Sequence, residues 1–302
     1  MAGPRLSLPG WLLVISIAAF VGTWIAAPRR SISGSTPQPS PPSHRDPGRD
    51  APALHIDPES DPAGEPRRTD ELFVLGRPWR VALTFDDGPH HLHTARLLDI
   101  LAEHGVRATF FVNGRWIANS DRRSKANRQI LRRARLEGHA IGSHTYSHVN
   151  LTRLRRDEQT QEITANEAII KDVLGDRPTL FRPPYGVLSR HSLAVLRERR
   201  YVIARWNSAA LDEEIHDPVA IQRTVMLWLR HHQGGIVMLH DRFRWSVDAV
   251  ARVLHELGRE NCRRQRAGQV PYEVVSLDSL LVPPAQSGPL ADRSQARRLA
   301  CK

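Results

Sequence analysis

Between residues 72 and 282 the chain alternates between two patterns of apolar and polar positions. Short apolar runs of the kind buried in a parallel sheet predict seven strands. These are Val81–Phe85, Ala108–Val112, Ala140–Ser143, Leu180–Arg182, Tyr201–Trp206, Gly235–Leu239 and Tyr272–Ser276. Intervening segments with apolar residues at helical spacing predict helices at Thr94–His104, Asn127–Glu137, Thr160–Leu174, Ser189–Arg199, Pro218–His231 and Val247–Leu257. This alternation indicates a parallel α/β fold, and periodicity alone leaves both an open doubly wound sheet and a barrel possible.

A separate apolar segment lies near the N-terminus. Residues 6–28 carry no charged side chain, and their apolar centre is 11–27. A membrane-spanning helix needs about 20 apolar residues, so the segment is long enough for an anchor. It could also be a secretory signal, although Pro28 disfavours cleavage directly before it. We therefore expect residues 1–30 to be a membrane anchor or a signal segment, with the rest of the protein outside the cytoplasm. Basic residues flank the segment on both sides, so the positive-inside bias does not give its orientation.

Local composition divides residues 31–302 into a linker, a folded domain and a tail. Residues 31–71 are rich in Pro, Ser, Asp and Arg with few large apolar side chains, which predicts a disordered linker. Residues 72–282 form the predicted folded domain, and residues 283–302 form a loose basic tail. Only Cys262 and Cys301 are present, so one disulfide at most is possible.

The charge balance is strongly basic. The 302 residues include 43 Lys and Arg against 32 Asp and Glu, for a formal net charge of +11. Such a charge favours a wall polymer, a membrane surface or a nucleic acid as partner, or it reflects a solvated arginine-rich surface. The chain lacks zinc-finger spacing, an RNP-like aromatic stretch and a basic region with heptads, so no nucleic-acid partner is expected.

Ionisable residues cluster where the predicted strands end. Asp86 and Asp87 follow one apolar strand, and His144 and His148 follow another. One carboxylate and two imidazoles are the ligand set of an open catalytic metal site, and the second carboxylate then remains as a general base. Asp-Asp-Gly-Pro alone would be an ordinary turn, so it is the combination that predicts a metal hydrolase. Nitrogen ligands with one carboxylate suit Zn²⁺, and also Co²⁺ or Ni²⁺.

Other charged residues also lie at or near the ends of predicted strands. Arg182 and His240 lie at strand ends, and Asp212 lies just past one. Active sites of parallel barrels gather at the carboxyl ends of the strands, which favours a shared site for these residues.

Five segments, in this order, resemble motifs of the polysaccharide deacetylase family, carbohydrate esterase family 4 or NodB homology domain. They are Thr84-Phe85-Asp86-Asp87-Gly88-Pro89, His144-Thr145-Tyr146-Ser147-His148, Arg182-Pro183-Pro184-Tyr185-Gly186, Trp206 to Asp212, and Ile236-Val237-Met238-Leu239-His240-Asp241. The resemblance covers roughly Arg80 to Leu281 and implies the distorted (β/α)7 barrel of that family, as a single catalytic domain. It also implies metal-dependent hydrolytic N-deacetylation of a polysaccharide that contains N-acetylglucosamine. Peptidoglycan is the first candidate, and chitin-like or poly-N-acetylglucosamine chains come next.

The resemblance implies a role for each motif residue. Asp87, His144 and His148 would hold one divalent metal ion, with zinc as the first candidate. The catalytic residues would be Asp86 as general base, His240 as general acid, and Arg182 and Asp212 as the pair that positions them. The residues around the oxyanion and substrate would be Tyr185, through its backbone N–H, with Pro183, Trp206 and Met238.

The chain departs from the family pattern in its fourth motif. Ala209 replaces an Asp, and Glu213 replaces a Trp. We expect Glu213 to point away from the cleft, because an unpaired charge facing a dry site is costly. The departures leave two alternatives open: an O-acetyl-xylan or small-amide hydrolase of the same family, or a degenerate domain that only binds glycan. Nothing in the sequence implies an oligomer.

Overall fold

The computed structural model describes residues 78–280. The predicted anchor, linker and basic tail, and with them Cys301, lie outside the described residues. Within 78–280 eight strands and six α-helices follow one another. The strands are β1 Arg80–Gly88, β2 Thr109–Val112, β3 Ala140–Ser143, β4 Leu180–Phe181, β5 Val202–Ile203, β6 Ser208–Ala209, β7 Gly235–His240 and β8 Glu273–Val275. The helices are α1 His93–His104, α2 Arg122–Leu136, α3 Arg156–Leu174, α4 Arg190–Glu198, α5 Pro218–His231 and α6 Arg244–Arg266.

The strands form one parallel sheet that bends into a half-barrel. Its order is β5-β4-β3-β2-β1-β7-β6, and β8 pairs with the first residues of β1. The two edge strands, β5 and β6, are joined by residues 204–207 alone. A connection of this length spans only about 3.3–3.6 Å per residue, so the two edges must come near each other. This curvature confirms the distorted barrel that the family resemblance implies.

Strand alternation decides which side chains face the barrel interior. One set of alternate residues packs with the surrounding helices in the main hydrophobic core; in β1 and β7 it comprises Val81, Leu83, Phe85, Val237 and Leu239. The intervening residues point to the opposite face. In the parallel register Asp86 lies opposite His240, and Thr84 lies opposite Met238. The carboxyl ends of β1 and β7 therefore present Asp86 and His240 side by side.

The helix ends show why most sequence boundaries were nearly right. The Asp217 carboxylate caps the first turn of α5, and Pro218 occupies its first position, as at many helix starts. Gly175 ends α3 in the left-handed conformation, as its position after Leu174 predicted. None of the helices in residues 78–280 is both long and apolar enough to cross a bilayer.

Several boundaries differ from the sequence prediction. Helix α2 begins at Arg122 instead of Asn127, and α3 begins at Arg156 instead of Thr160. The predicted strand Tyr201–Trp206 pairs only at Val202–Ile203, and the two-residue β6 was not predicted. Such short pairings leave no periodic pattern to detect. Helix α6 continues beyond Leu257 to Arg266, where Arg263 forms ion pairs with Glu256 and Glu260 instead of burying an apolar face.

Candidate active site and metal centre

A distortion at the end of β1 brings two adjacent carboxylates to one site. Neighbouring strand residues normally point to opposite faces. Here the register with β2 shifts between Asp86 and Gly88, and Asp87 adopts a positive φ of 72°. This bulge turns the Asp87 side chain toward the barrel mouth while Asp86 keeps its inward direction. Both residues are buried.

The predicted metal ligands lie together. The Nε2 atoms of His144 and His148 are 3.7 Å and 3.2 Å from Asp87 Oδ1. The three ligand atoms lie within 4.8 Å of one another. Ligands bound about 2.0–2.2 Å from one zinc ion would be about 3.3–3.6 Å apart in tetrahedral geometry, so the spacing fits. Asp87 Oδ1 is buried and accepts no hydrogen bond, as expected for an atom placed to face a cation.

The protonation of His144 also suits a metal ligand. Burial lowers its pKa to about 3, although the Asp87 charge opposes this, so the imidazole is neutral at neutral pH. Its Nδ1–H donates to the Arg182 carbonyl oxygen at 2.6 Å. That bond fixes the tautomer and leaves the Nε2 lone pair for a cation.

The loop that carries His148 is held on α3. The backbone N–H and hydroxyl of Ser147 donate to the Glu162 carboxylate at 2.9 Å and 2.6 Å. The His148 N–H donates to the Thr145 hydroxyl at 3.1 Å. The two histidines therefore lie on a compact loop between β3 and α3.

Asp86 is held by a buried arginine. Arg182 Nη1 lies 2.8 Å from Asp86 Oδ1 and also donates to Thr84 Oγ1 at 2.8 Å. The guanidinium stacks over Phe111 at 4.2 Å, and it is fully buried. Burial raises the pKa of Asp86, and the Arg182 charge counteracts that rise. A carboxylate balanced in this way can accept a proton without losing its position.

His240 faces the same site with an acidic partner. Its Nδ1–H donates to Asp212 Oδ1 at 2.8 Å, and its backbone N–H donates to Asp212 Oδ2 at 2.8 Å. Burial alone would lower the pKa of His240, but the hydrogen bond and charge of Asp212 raise it to about 9. The imidazole is thus held in its acid form at neutral pH.

Comparison with known proteins gives the family. The sequence model described as "Polysaccharide deacetylase" matches residues 76–204. The solved structure of peptidoglycan deacetylase PdaC from Bacillus subtilis matches with a TM-score of 0.56 and 30% identity, over 68% of this chain and 90% of that chain. The chain belongs to the polysaccharide deacetylase family.

Two relatives extend this likeness. A peptidoglycan-N-acetylglucosamine deacetylase of Bacillus cereus is 33% identical over 61% of this chain and 65% of that protein. A chitin deacetylase of Pestalotiopsis is 41% identical over 57% of each chain. The matched region therefore spans less than two thirds of the length of either relative.

The residues that the family pattern places around the substrate lie on several elements near this site. Tyr185 has a positive φ of 58°, its ring is 5.0 Å from that of His148, and its side chain is exposed. Pro183 is buried just before it, and Trp206 packs 5.5 Å from the Arg182 guanidinium. Met238 is half-buried on the interior face. Their contacts with a substrate stay predictions.

The orientation expected for Glu213 from the cost of an unpaired charge is wrong. Glu213 was expected to point away from the cleft, but its carboxylate lies within 4.8 Å of a ligand atom of Asp87 and of His240. The side chain is exposed, so its charge keeps solvent and avoids the desolvation cost on which the expectation rested. The nearby His216 Nε2 lies 3.2 Å from the Glu213 backbone carbonyl oxygen.

Sequence reasoning also missed residues that the structure adds to this site. Arg242 Nη1 lies 3.3 Å from Asp87 Oδ2. Ser246 and Trp245 donate hydrogen bonds to the carboxylate and backbone carbonyl of Asp212. All three follow His240 within six positions, so the segment after the fifth motif was the place to look.

Proposed function

We propose that this protein removes acetyl groups by hydrolysis from N-acetylglucosamine residues of a polysaccharide, with one bound zinc ion. The observation that carries the proposal is that a candidate general base and a candidate general acid both lie beside an Asp-His-His cluster. Asp86 is held by Arg182, and His240 is held by Asp212. Amide hydrolysis needs a base for the attacking water and an acid for the departing nitrogen, and these two groups supply both.

The metal cluster supports the same chemistry. A divalent ion on Asp87, His144 and His148 would polarise the acetamide carbonyl and increase the acidity of its water. Zinc is the first choice because the donors are two neutral imidazole nitrogens and one carboxylate oxygen. Cobalt and nickel fit the same donors.

Groups of the protein then assist different steps of the hydrolysis. Asp86 accepts the proton of the attacking water, while Arg182 keeps its carboxylate oriented. The N–H of Tyr185 stabilises the negative charge that develops on the acetyl oxygen. His240, kept protonated by Asp212, donates to the departing amine, and acetate and glucosamine remain.

Peptidoglycan is the substrate we propose first. Its support is that two of the relatives described above are named as peptidoglycan deacetylases, from Bacillus cereus and Bacillus subtilis. The apolar segment at residues 6–28 also favours a site of action at the membrane, outside the cytoplasm. Chitin-like polymers come second, on the basis of the Pestalotiopsis relative. The degenerate glycan-binding alternative predicts loss of some catalytic contacts, whereas both the Asp86–Arg182 and the His240–Asp212 pairs are present.

Acetate release from a panel of polymers tests this proposal. The panel should contain peptidoglycan, chitin oligosaccharides, poly-N-acetylglucosamine and acetylated xylan. We expect acetate from the N-acetylated polymers, fastest from peptidoglycan, with none from xylan. The variant Asp86→Asn should release none, and Asp99→Asn, which changes an exposed carboxylate on α1, should match the unmodified protein. Acetate from xylan alone would replace this function with the esterase alternative, and no acetate from any polymer would support the binding domain.

A further inference from the structure

A second group of metal-binding side chains lies beside the first. Asp87, Glu213 and His240 each offer a ligand atom, and the three atoms lie within 4.8 Å of one another. Asp87 belongs to both groups. We propose that Asp87, Glu213 and His240 form a second, weaker divalent-cation site, which takes zinc when zinc is in excess and thereby inhibits the enzyme.

The donor atoms suit zinc. Zinc binds both carboxylate oxygens and imidazole nitrogens in proteins. A carboxylate can hold two ions at once, one on each oxygen, and paired ions in hydrolases are about 3.5–4 Å apart. Asp87 is buried, and its Oδ1 atom accepts no hydrogen bond and faces His144 and His148, so Oδ1 can bind the first ion and leave Oδ2 for the second.

Glu213 can complete the site. A separation of up to 4.8 Å is wider than the roughly 3.3–3.6 Å between ligands of a tetrahedral zinc ion, so one side chain must move inward. Asp87 and His240 are buried and fixed, but Glu213 is exposed and can change rotamer. The Trp of the family pattern has no acceptor or lone pair for a metal, so the replacement by Glu213 creates this site.

Arg242 explains why the second site is the weaker one. Its Nη1 lies 3.3 Å from Asp87 Oδ2 and places a positive charge where a second cation would enter. The side chain is 39% exposed, so an incoming ion can displace it. Asp87 Oδ1, which faces the first site, instead has the side chains of His144 and His148 as its neighbours, and these are ligands of that site.

Occupation of this site would stop turnover. The Nδ1 atom of His240 is committed to Asp212, which leaves Nε2 as the ligand. Zinc bound at Nε2 takes the lone pair that otherwise carries the acidic proton, and that proton is released to solvent, so His240 could not serve as the acid. This consequence rests on the proposed function, whereas the binding itself does not.

Metal counting tests the binding. Full-length protein is dialysed against increasing free Zn²⁺, and zinc per chain is measured by atomic emission. We expect a first equivalent at low zinc and a second at higher zinc. Glu213→Gln should weaken only the second step, by about tenfold or more, since even partners one step removed from a metal contribute about 10–100-fold. Glu214→Gln, the same change at an adjacent exposed residue, should leave both steps unchanged.

A variant that should strengthen second-site zinc binding separates this site from a general structural effect. Arg242→Gln removes the competing cation, so the second step should tighten. A stoichiometry that stays at one equivalent, or a second step that is the same in Glu213→Gln, would overturn the proposed site. In the acetate assay excess zinc should inhibit the unmodified protein and inhibit Glu213→Gln less. A bound second ion without inhibition would refute the inhibitory role of the site, while a failure of all acetate release would bear on the proposed function alone.

Discussion

The pairing of His240 with Asp212 makes a quantitative prediction. Asp212→Asn keeps the size of the side chain but removes the negative charge that raises the pKa of His240 to about 9. The difference between that value and the ordinary 6.5 corresponds to about 3 kcal/mol, at 1.36 kcal/mol for each pH unit. Burial is the largest single influence that remains, and it lowers the pKa, while the charges of Asp86 and Asp87 still raise it, so the pKa of His240 in the variant should fall well below 9.

Two assays measure this change. In metal-free protein, NMR titration of the His240 ring should give a pKa near 9 in the unmodified protein and a much lower one in Asp212→Asn. In the metal-loaded enzyme the alkaline limb of kcat/KM reports loss of the proton from the acid, and it should move to lower pH in the variant. With a pKa of 6.5 only about 3% of His240 would be protonated at pH 8, so a fall to that value would lower the rate there by about 30-fold.

A control distinguishes charge from packing. Ser246→Ala removes one hydrogen bond to the Asp212 carboxylate but keeps its charge, so the pKa of His240 should change little. An alkaline limb that stays in place in Asp212→Asn would show that Asp212 does not set the proton affinity of the acid. His240 would then be interpreted as a buried, hydrogen-bonded side chain with a structural role.

Three further substitutions test the rest of the site. Asp86→Asn should abolish acetate release while zinc stays bound, because an amide cannot accept the proton; near-full kcat would remove Asp86 as the base. His148→Ala should bind zinc with an affinity lower by about tenfold or more, since one of three protein ligands is gone. Unchanged metal content by atomic emission would disprove that ligand set. Glu213→Trp should lower KM for glycan, because the position lies at the cleft and a ring face can stack on a sugar; an unchanged KM would place it outside the substrate path.

The sequence predicted the β-strand ends better than the loops between them. Asp86, His144 and His240 could be placed because each follows a predicted strand, and the carboxyl ends of parallel strands share one edge. The Gly88-Pro89 segment permits the Asp87 side chain to point toward the same site as Asp86, but the sequence does not specify this direction. The structure shows the means, a register shift with a positive φ at Asp87, which no apolar pattern encodes.

The errors have a common physical origin. Glu213 and Arg242 lie in segments without periodicity, so their side-chain directions depend on tertiary contacts such as the hydrogen bonds that hold Asp212. The expectation for Glu213 applied the cost of a buried charge to a residue that keeps its solvent. Comparison with the family pattern identified the position as unusual but could not give its orientation.

The most direct test of this account is acetate release from peptidoglycan by chelated and zinc-restored protein. The same preparation is treated with a chelator, dialysed, and assayed before and after addition of one equivalent of zinc, with Asp87→Ala in parallel. The account predicts that release stops in the chelated protein, returns with zinc, and does not return in Asp87→Ala. Full activity in chelated protein shown by atomic emission to contain no metal would contradict it.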